Sequence, residues 1–172
     1  MNVVTASPSE PDETTEVVIL RERVEDAQAV EALVMAAFGP GRFAKTAERI
    51  REKSDLSAGF TVYDGDELIG SVRLWSVASG KARGAFLGPI AVARSSRCGG
   101  LGGKLVAKCI EEAKALGFDG ILLIGDPPYF SRFGFLPAPK AVFAGPVNPR
   151  RVMWLPFTEV SPDGAIVPVA VI

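Results

Sequence analysis

"RSSRCGGLGGKL", residues 94–105, places Gly99, Gly100, Gly102 and Gly103 within five positions, between two arginines and a lysine. The overlapping stretch "LGGKLVAKCIEEAKALG" (101–117) reads as a helix: Leu105, Val106, Cys109, Ala113 and Leu116 fall on one face, and Gly117 is placed to cap its end. The stretch before it, "GAFLGPIAV" (84–92), is a buried-strand pattern. Strand, glycine-rich turn and helix together predict an anion site. The first N–H groups of a helix lack partners, the helix dipole is positive there, and glycine lets a ligand approach the backbone. A plain strand-to-helix turn needs one glycine, and each further one costs entropy in the helix start.

Spacing decides between phosphate motifs. The P-loop needs G-x-x-x-x-G-K-[ST]. Gly103-Lys104 supplies its end, but Cys98 and Leu105 stand where the first glycine and the magnesium-binding hydroxyl belong. The dinucleotide fingerprint G-x-G-x-x-G fails from Gly100, whose third glycine would be Leu105, and from Gly99, whose second would be Leu101. The pattern [QR]-x-x-G-x-[GA] fits, with Arg97, Gly100 and Gly102. A second signal lies in "FLGPIAV". Proline removes a ladder donor from an apolar strand, so Gly88-Pro89 marks a bulge or break.

Working outward, "VVILRERV" (17–24) resembles a first strand and "EDAQAVEALVMAAFG" (25–39) a helix, stopped by Gly39-Pro40-Gly41. "RFAKTAERIREKSD" (42–55) is a second, more charged helical segment. "GFTVYDGDELIGSVRLWSV" (59–77) is a hairpin turning at Asp64-Gly65. "GILLIGD" (120–126) is a strand buried on both faces, Pro127-Pro128 opens a short helix, and the remainder offers one or two further strands. The order predicts a mixed α/β domain over 16–172 behind a disordered, acidic tail, 1–15.

Glycine loop, Gly-Pro strand, "GILLIGD" and "YFSRFGF" (129–135) together resemble the GNAT superfamily of N-acetyltransferases, in the bacterial branch of predicted acetyltransferases. The resemblance is close over 84–136 and extends over 17–77 in element order. It implies a mostly antiparallel central sheet, flanked by helices, whose fourth and fifth strands splay apart to admit the pantetheine arm of acetyl-CoA. It further implies that Arg97, Cys98, Gly99, Gly100, Gly102, Gly103 and Lys104 hold the pyrophosphate. The backbones of Ile90, Ala91 and Val92 would pair with the pantetheine, and the Ile90 N–H would face the thioester carbonyl as an oxyanion donor. Many members have glycine at the position of Cys98 and a basic residue at that of Gly99, so this loop is short of one charge.

The implied activity is transfer of an acetyl group to a primary amine of a small molecule or protein, by direct attack on the thioester. The alternative is a non-catalytic acyl-CoA-binding module of the same fold. Many members carry a tyrosine acid four residues before the glycine of "GF"; here that residue is Phe130, and Tyr129 precedes it. Tyr129 is either the acid, from a shifted helix, or a packing residue. Asp126 either draws the amine and relays its proton or caps a helix. Glu48 and Glu52 border the acceptor in the family, but a solvated face is the plainer reading; Trp75 and Trp154 line the acceptor cleft or pack in the core.

Composition excludes several classes. The chain has no histidine, so no Ser-His-Asp or Cys-His site can be built from it, and two cysteines do not make a four-thiolate zinc site. No metal site is expected. Cys98 is read as a loop spacer and Cys109 as core. A net charge of -1 gives no reason to expect nucleic acid or a membrane surface, and no apolar run approaches the roughly 20 residues that span a bilayer. With no signal-peptide pattern, a cytoplasmic monomer or homodimer is the expectation.

Overall fold

The computed structural model describes residues 16–170. The expected tail, 1–15, lies outside them. A mixed sheet runs through the molecule, from a short edge strand β1 (Leu20–Arg21) at one side to a short strand β6 (Leu136–Pro137) at the other. Its central part consists of β2 (Leu56–Asp64), β3 (Glu67–Ser79), β4 (Ala82–Val92) and β5 (Gly120–Ile124), with β8 (Val152–Pro156) beyond. Neighbours along this path are antiparallel except β4 and β5, which are parallel. The connection between those two is the glycine loop and α3 (Leu101–Ala115), as a parallel pair requires.

Alternation along the strands sorts the core into two faces. Ala85, Leu87, Ile121 and Leu123 turn toward α3, where Leu105, Val106, Cys109 and Ala113 are completely buried. Phe86 and Leu122 turn the other way, toward Ile50 of α2 (Thr46–Arg51) and the C-terminal Phe143 and Trp154. Val30 and Val34 of α1 (Ala27–Phe38) cover Leu68 and Ala91 on that same side. Burial pushes the Cys109 thiol well up, which makes it an inert core residue.

Several elements differ from the sequence expectation. The first strand pairs only over β1 (Leu20–Arg21), because Arg23 turns its amide into the Asp26 carboxylate at 2.7 Å and so starts the turn into α1. Asp26 also accepts from the Tyr63 hydroxyl at 2.7 Å. The hairpin loop is Gly65-Asp66, since Asp64 still pairs with Glu67; Gly65, at φ 60°, takes the left-handed position. Leu116 is 45% exposed rather than on the buried face of α3. The helix ends there, with Gly117 N donating to Lys114 O at 3.1 Å and Phe118 N to Ala113 O at 3.2 Å. The C-terminal part adds four strands rather than one or two. β6 (Leu136–Pro137) and β7 (Ala141–Val142) are two residues each, and β9 (Gly164–Pro168) pairs with the far end of β3.

Candidate active site

The site is organised by the middle of β4. Val72 pairs with Ile90 and Leu74 with Leu87, so Gly88 and Pro89 together oppose the single residue Arg73. This is a β-bulge, and the Gly88-Pro89 peptide is cis. Gly88 has φ 132°, a backbone open to glycine, and its carbonyl accepts a 2.7 Å hydrogen bond from the Trp75 indole. The extra residue reverses the alternation. Before the bulge the odd-numbered residues face α3; after it Ile90 and Val92 do, and Ala91 turns to α1.

The bulge also ends the pairing between β4 and β5. The register runs Gly84 with Gly120, Ala85 with Ile121 and Phe86 with Leu122, then stops. The two strands splay beyond that point. Ala93 N donates to Ile69 O across the β3 side at 2.8 Å. Strand alternation then gives Ala91 the same direction and turns the backbone of Ile90 toward the splay. Of the three residues expected to pair with a pantetheine arm, Ala91 therefore directs its amide into the sheet.

One end of the splay opens on the glycine loop. A short 3₁₀ turn, Arg94–Gly99, leads to Gly100 in the left-handed conformation at φ 68°, and α3 begins. Lys104 N donates to Gly100 O at 3.2 Å, so the amides of Gly102 and Gly103 lie in the unpaired first turn. Val92, Gly100, Gly102 and Gly103 line a cavity of about 590 Å³ with Tyr129, Arg132 and Phe133. Its walls are close. A β-carbon on Gly102 would stand 3.4 Å from the Tyr129 hydroxyl, and one on Gly103 would stand 3.6 Å from Phe133. Arg132 lies over the Tyr129 ring at 4.5 Å and donates from Nε to the Tyr129 carbonyl at 3.2 Å.

The other end opens into a cleft of about 620 Å³, lined by Gly88, Pro89 and Ile90 on one side and by Leu123 to Asp126 and Phe130 on the other. Its far wall is charged, with Arg42, Lys45, Glu48, Arg51 and Arg151. α2 buries Ile50 and turns Glu48 and Arg51, one helical turn apart, into this space. Glu48 Oε2 lies 3.3 Å from Arg42 and 3.4 Å from Arg51. The Arg51 guanidinium rests on the Phe86 ring at 5.1 Å, and burial pulls it down to about 10 against the upward pull of Glu48. Asp126 precedes the short helix α4 (Pro127–Phe130), and its carboxylate makes no capping hydrogen bond. The carbonyl of Asp126, not its side chain, receives Tyr129 N at 3.1 Å and Phe130 N at 3.0 Å.

A splayed parallel pair, a bulged strand and a glycine-lined helix start occur together in a known family. The model of the Acetyltransferase (GNAT) family matches residues 27–135. The chain belongs to the GNAT acetyltransferase family. An uncharacterized N-acetyltransferase of Escherichia coli K12, YhbS, is 29% identical over 113 residues, covering 64% of this chain and 68% of the relative. The fold is similar to that of the E. coli GNAT family N-acetyltransferase YhbS solved in complex with CoA, with a TM-score of 0.78, 23% identity and 94% of each chain covered. It is also similar to a Brucella melitensis GNAT family acetyltransferase solved with acetyl-CoA, with a TM-score of 0.70, 23% identity, and 90% of this chain and 96% of that one covered.

Within this GNAT chain the expected loop residues divide. Gly100, Gly102 and Gly103 come together with Val92 in one cavity. Gly99 is exposed with open space around it, and the Lys104 side chain is exposed outside the cavity lining. The side chains of Arg97 and Cys98 lie outside the described residues. Tyr129 lines the loop cavity, whereas Phe130 lines the cleft that holds Ile90. Glu48 is not on a solvated face: its side chain is 12% exposed and paired with two arginines, while Glu52 is exposed. Trp154 is core, and Trp75 holds the bulge carbonyl. Sequence reasoning missed Arg42, Arg51, Arg132 and Arg151. The first two sat in a helical pattern whose charges read as solvent-facing, and nothing local announced that α2 packs across the bulge.

Proposed function

We propose that this GNAT chain binds acetyl-CoA and transfers its acetyl group to a primary amine. The observation that carries this reading is the continuity of the β4 edge. Val92 lines the glycine cavity and Ile90 lines the charged cleft, so one strand edge joins an anion cradle to an acceptor space. The cradle suits a pyrophosphate because it offers first-turn amides where side chains would intrude: a β-carbon on Gly102 already meets the Tyr129 hydroxyl at 3.4 Å. Bound there, acetyl-CoA supplies an activated acyl thioester, and the protein orients it.

Each residue then has a task. The amides of Gly102 and Gly103 donate to the pyrophosphate, with Arg97 and Lys104 near by in the loop. Arg132 supplies the charge that Gly99 leaves out, and the Tyr129 hydroxyl donates to a phosphate oxygen beside it. The backbones of Ile90 and Val92 hold the pantetheine arm along the splay. The Ile90 N–H faces the reacting carbonyl and stabilises the negative oxygen that forms when nitrogen attacks. Asp126, free of a capping bond, draws the amine and takes its proton through water. The departing thiolate is protonated by water, since Phe130 stands where a tyrosine acid would.

The test pairs calorimetric titration of CoA and ATP with thiol release from acetyl-CoA across a panel of amines. The reading expects CoA to bind far more tightly than ATP, and at least one amine to release thiol. Preference for ATP would overturn the cradle assignment. Tight CoA binding without turnover on any amine would instead favour the acyl-CoA-binding module.

A further inference from the structure

The charged wall of the cleft is one end of a chain of ion pairs. Arg73 bonds Glu22 at 2.6 Å and Glu31 at 3.1 Å. Glu31 also pairs with Arg42, Arg42 with Glu48 and Glu48 with Arg51. Charge alternates along this row until it reaches Arg51, which shares its only carboxylate among the described residues with Arg42. Both contacts to Glu48 are long, 3.3 and 3.4 Å, against about 2.7–2.9 Å for a well-made charge-assisted bond. The Arg51 side chain is 15% exposed, and its Nε has no hydrogen-bond partner among the described residues. A buried guanidinium with so incomplete a shell is costly unless something supplies the missing acceptors.

Its position says what that something is for. A β-carbon on Gly88 would fall 2.5 Å from Arg51 Nη2, so the guanidinium lies directly on the bulge, two residues from Ile90. Lys45 and Arg151 add cationic charge to the same cleft, against the carboxylates of Glu48 and Asp126. We infer that the acceptor is a small amine whose other end carries an anionic oxygen group, a carboxylate or a phosphate, held by the Arg51 fork at the bulge. This rests on the transferase reading above and narrows its substrate class. A planar guanidinium meets either group bidentately. The arrangement repels diamines. It also disfavours the ammonium form of a bound acceptor, leaving more of it as the nucleophilic free amine.

The experiment compares matched acceptors on the full chain: β-alanine against β-alaninamide, aminoethyl phosphate against ethanolamine, and ethylenediamine as the cationic control. Two readings are taken, thiol release from acetyl-CoA and calorimetric binding of each amine in the presence of CoA. The anionic member of a pair should exceed its neutral partner by about 10- to 100-fold in kcat/KM and in affinity. The pair with the larger ratio separates carboxylate from phosphate. Arg51→Met should bring that ratio to about one, and Arg51→Lys should restore part of it; a purely structural arginine would change stability and leave the ratio alone. The wild-type comparison stands even if Arg51→Met fails to fold. Neutral amines or the diamine matching the anionic ones in both readings would overturn the inference. A binding preference without turnover would sustain the anion site and sink the transferase reading instead.

Discussion

The two cavities along β4 are built from opposite materials. The floor of the cradle at the start of α3 is backbone, with the amides of Gly102 and Gly103 unobstructed by side chains, and only its rim, Tyr129, Arg132 and Phe133, is side chain. The charged cleft is mostly side chain, drawn from α2, the bulge, the end of β5 and Arg151. A backbone floor is encoded in one stretch and leaves little room for a long side chain. A side-chain site is assembled from distant stretches and can change its chemistry without changing the fold. The difference matches the proposed division of labour, with the cofactor held at the cradle and the amine at the cleft.

Breaking the cradle should give the largest effect. Gly102→Leu puts a branched side chain into space already bounded by the Tyr129 hydroxyl at 3.4 Å. CoA affinity should fall by about 100-fold, near 2.7 kcal/mol. The fold should not suffer, because leucine is a better helix former than glycine by up to about 1 kcal/mol. Calorimetry with a urea melt checks both, and a variant that binds CoA normally would place the pyrophosphate elsewhere.

Gly88→Ala tests the junction between the cavities. Gly88 has φ 132°, and its added methyl meets Arg51 Nη2 at 2.5 Å. Arg51 must move, and the backbone strain should cost about 1–3 kcal/mol in a urea melt. The acceptor KM should rise about 10-fold, on the order of one lost charge-assisted bond. CoA affinity should change less than with Gly102→Leu. Equal losses on both ligands would mean that the bulge is a general support rather than a boundary.

How much of this could be read from the chain follows the same division. The glycine side of the cradle was legible because its signals are contiguous: glycine spacing, the helix pattern behind it and the Gly-Pro break before it. The break in β4 followed from proline chemistry, and the splay beyond it from the family resemblance. The cleft was not, because helical periodicity tells which residues of 42–55 share a face but not what that face meets. Glu48 looked solvated until α2 was seen to lie across Gly88. Tyr129 and Phe130 show a finer limit. They are adjacent in sequence, but the turn of α4 points one at Gly102 and the other over Gly125, and only packing decides which goes where.

Tyr129→Phe sharpens that last point. With its hydroxyl at the cradle, the loss should be one hydrogen bond, about 0.5–1.5 kcal/mol, seen as a roughly 3- to 10-fold weaker CoA affinity. The kcat should stay within a few-fold of the wild type. A general acid would behave differently, losing about 10²–10⁴ in rate along with the basic limb of the pH profile. Measuring kcat and CoA affinity on one preparation separates the two roles.

Asp126→Asn makes the smallest change and isolates the chemistry best. An aspartate before a helix ordinarily stabilises it by capping, at about 1 kcal/mol. Here the helix amides of Tyr129 and Phe130 go to the Asp126 carbonyl, and its carboxylate caps nothing. Removing the charge should therefore leave the unfolding free energy from a urea melt within about 0.5 kcal/mol of wild type. CoA affinity should also hold, since Asp126 lines the cleft and not the cradle. What should change is the rate with amine at neutral pH, by several-fold, recovering as pH rises and more acceptor arrives deprotonated. A pH–rate profile decides it. A uniform loss at every pH would give Asp126 a positioning role, and a loss of stability would return it to the helix as a cap.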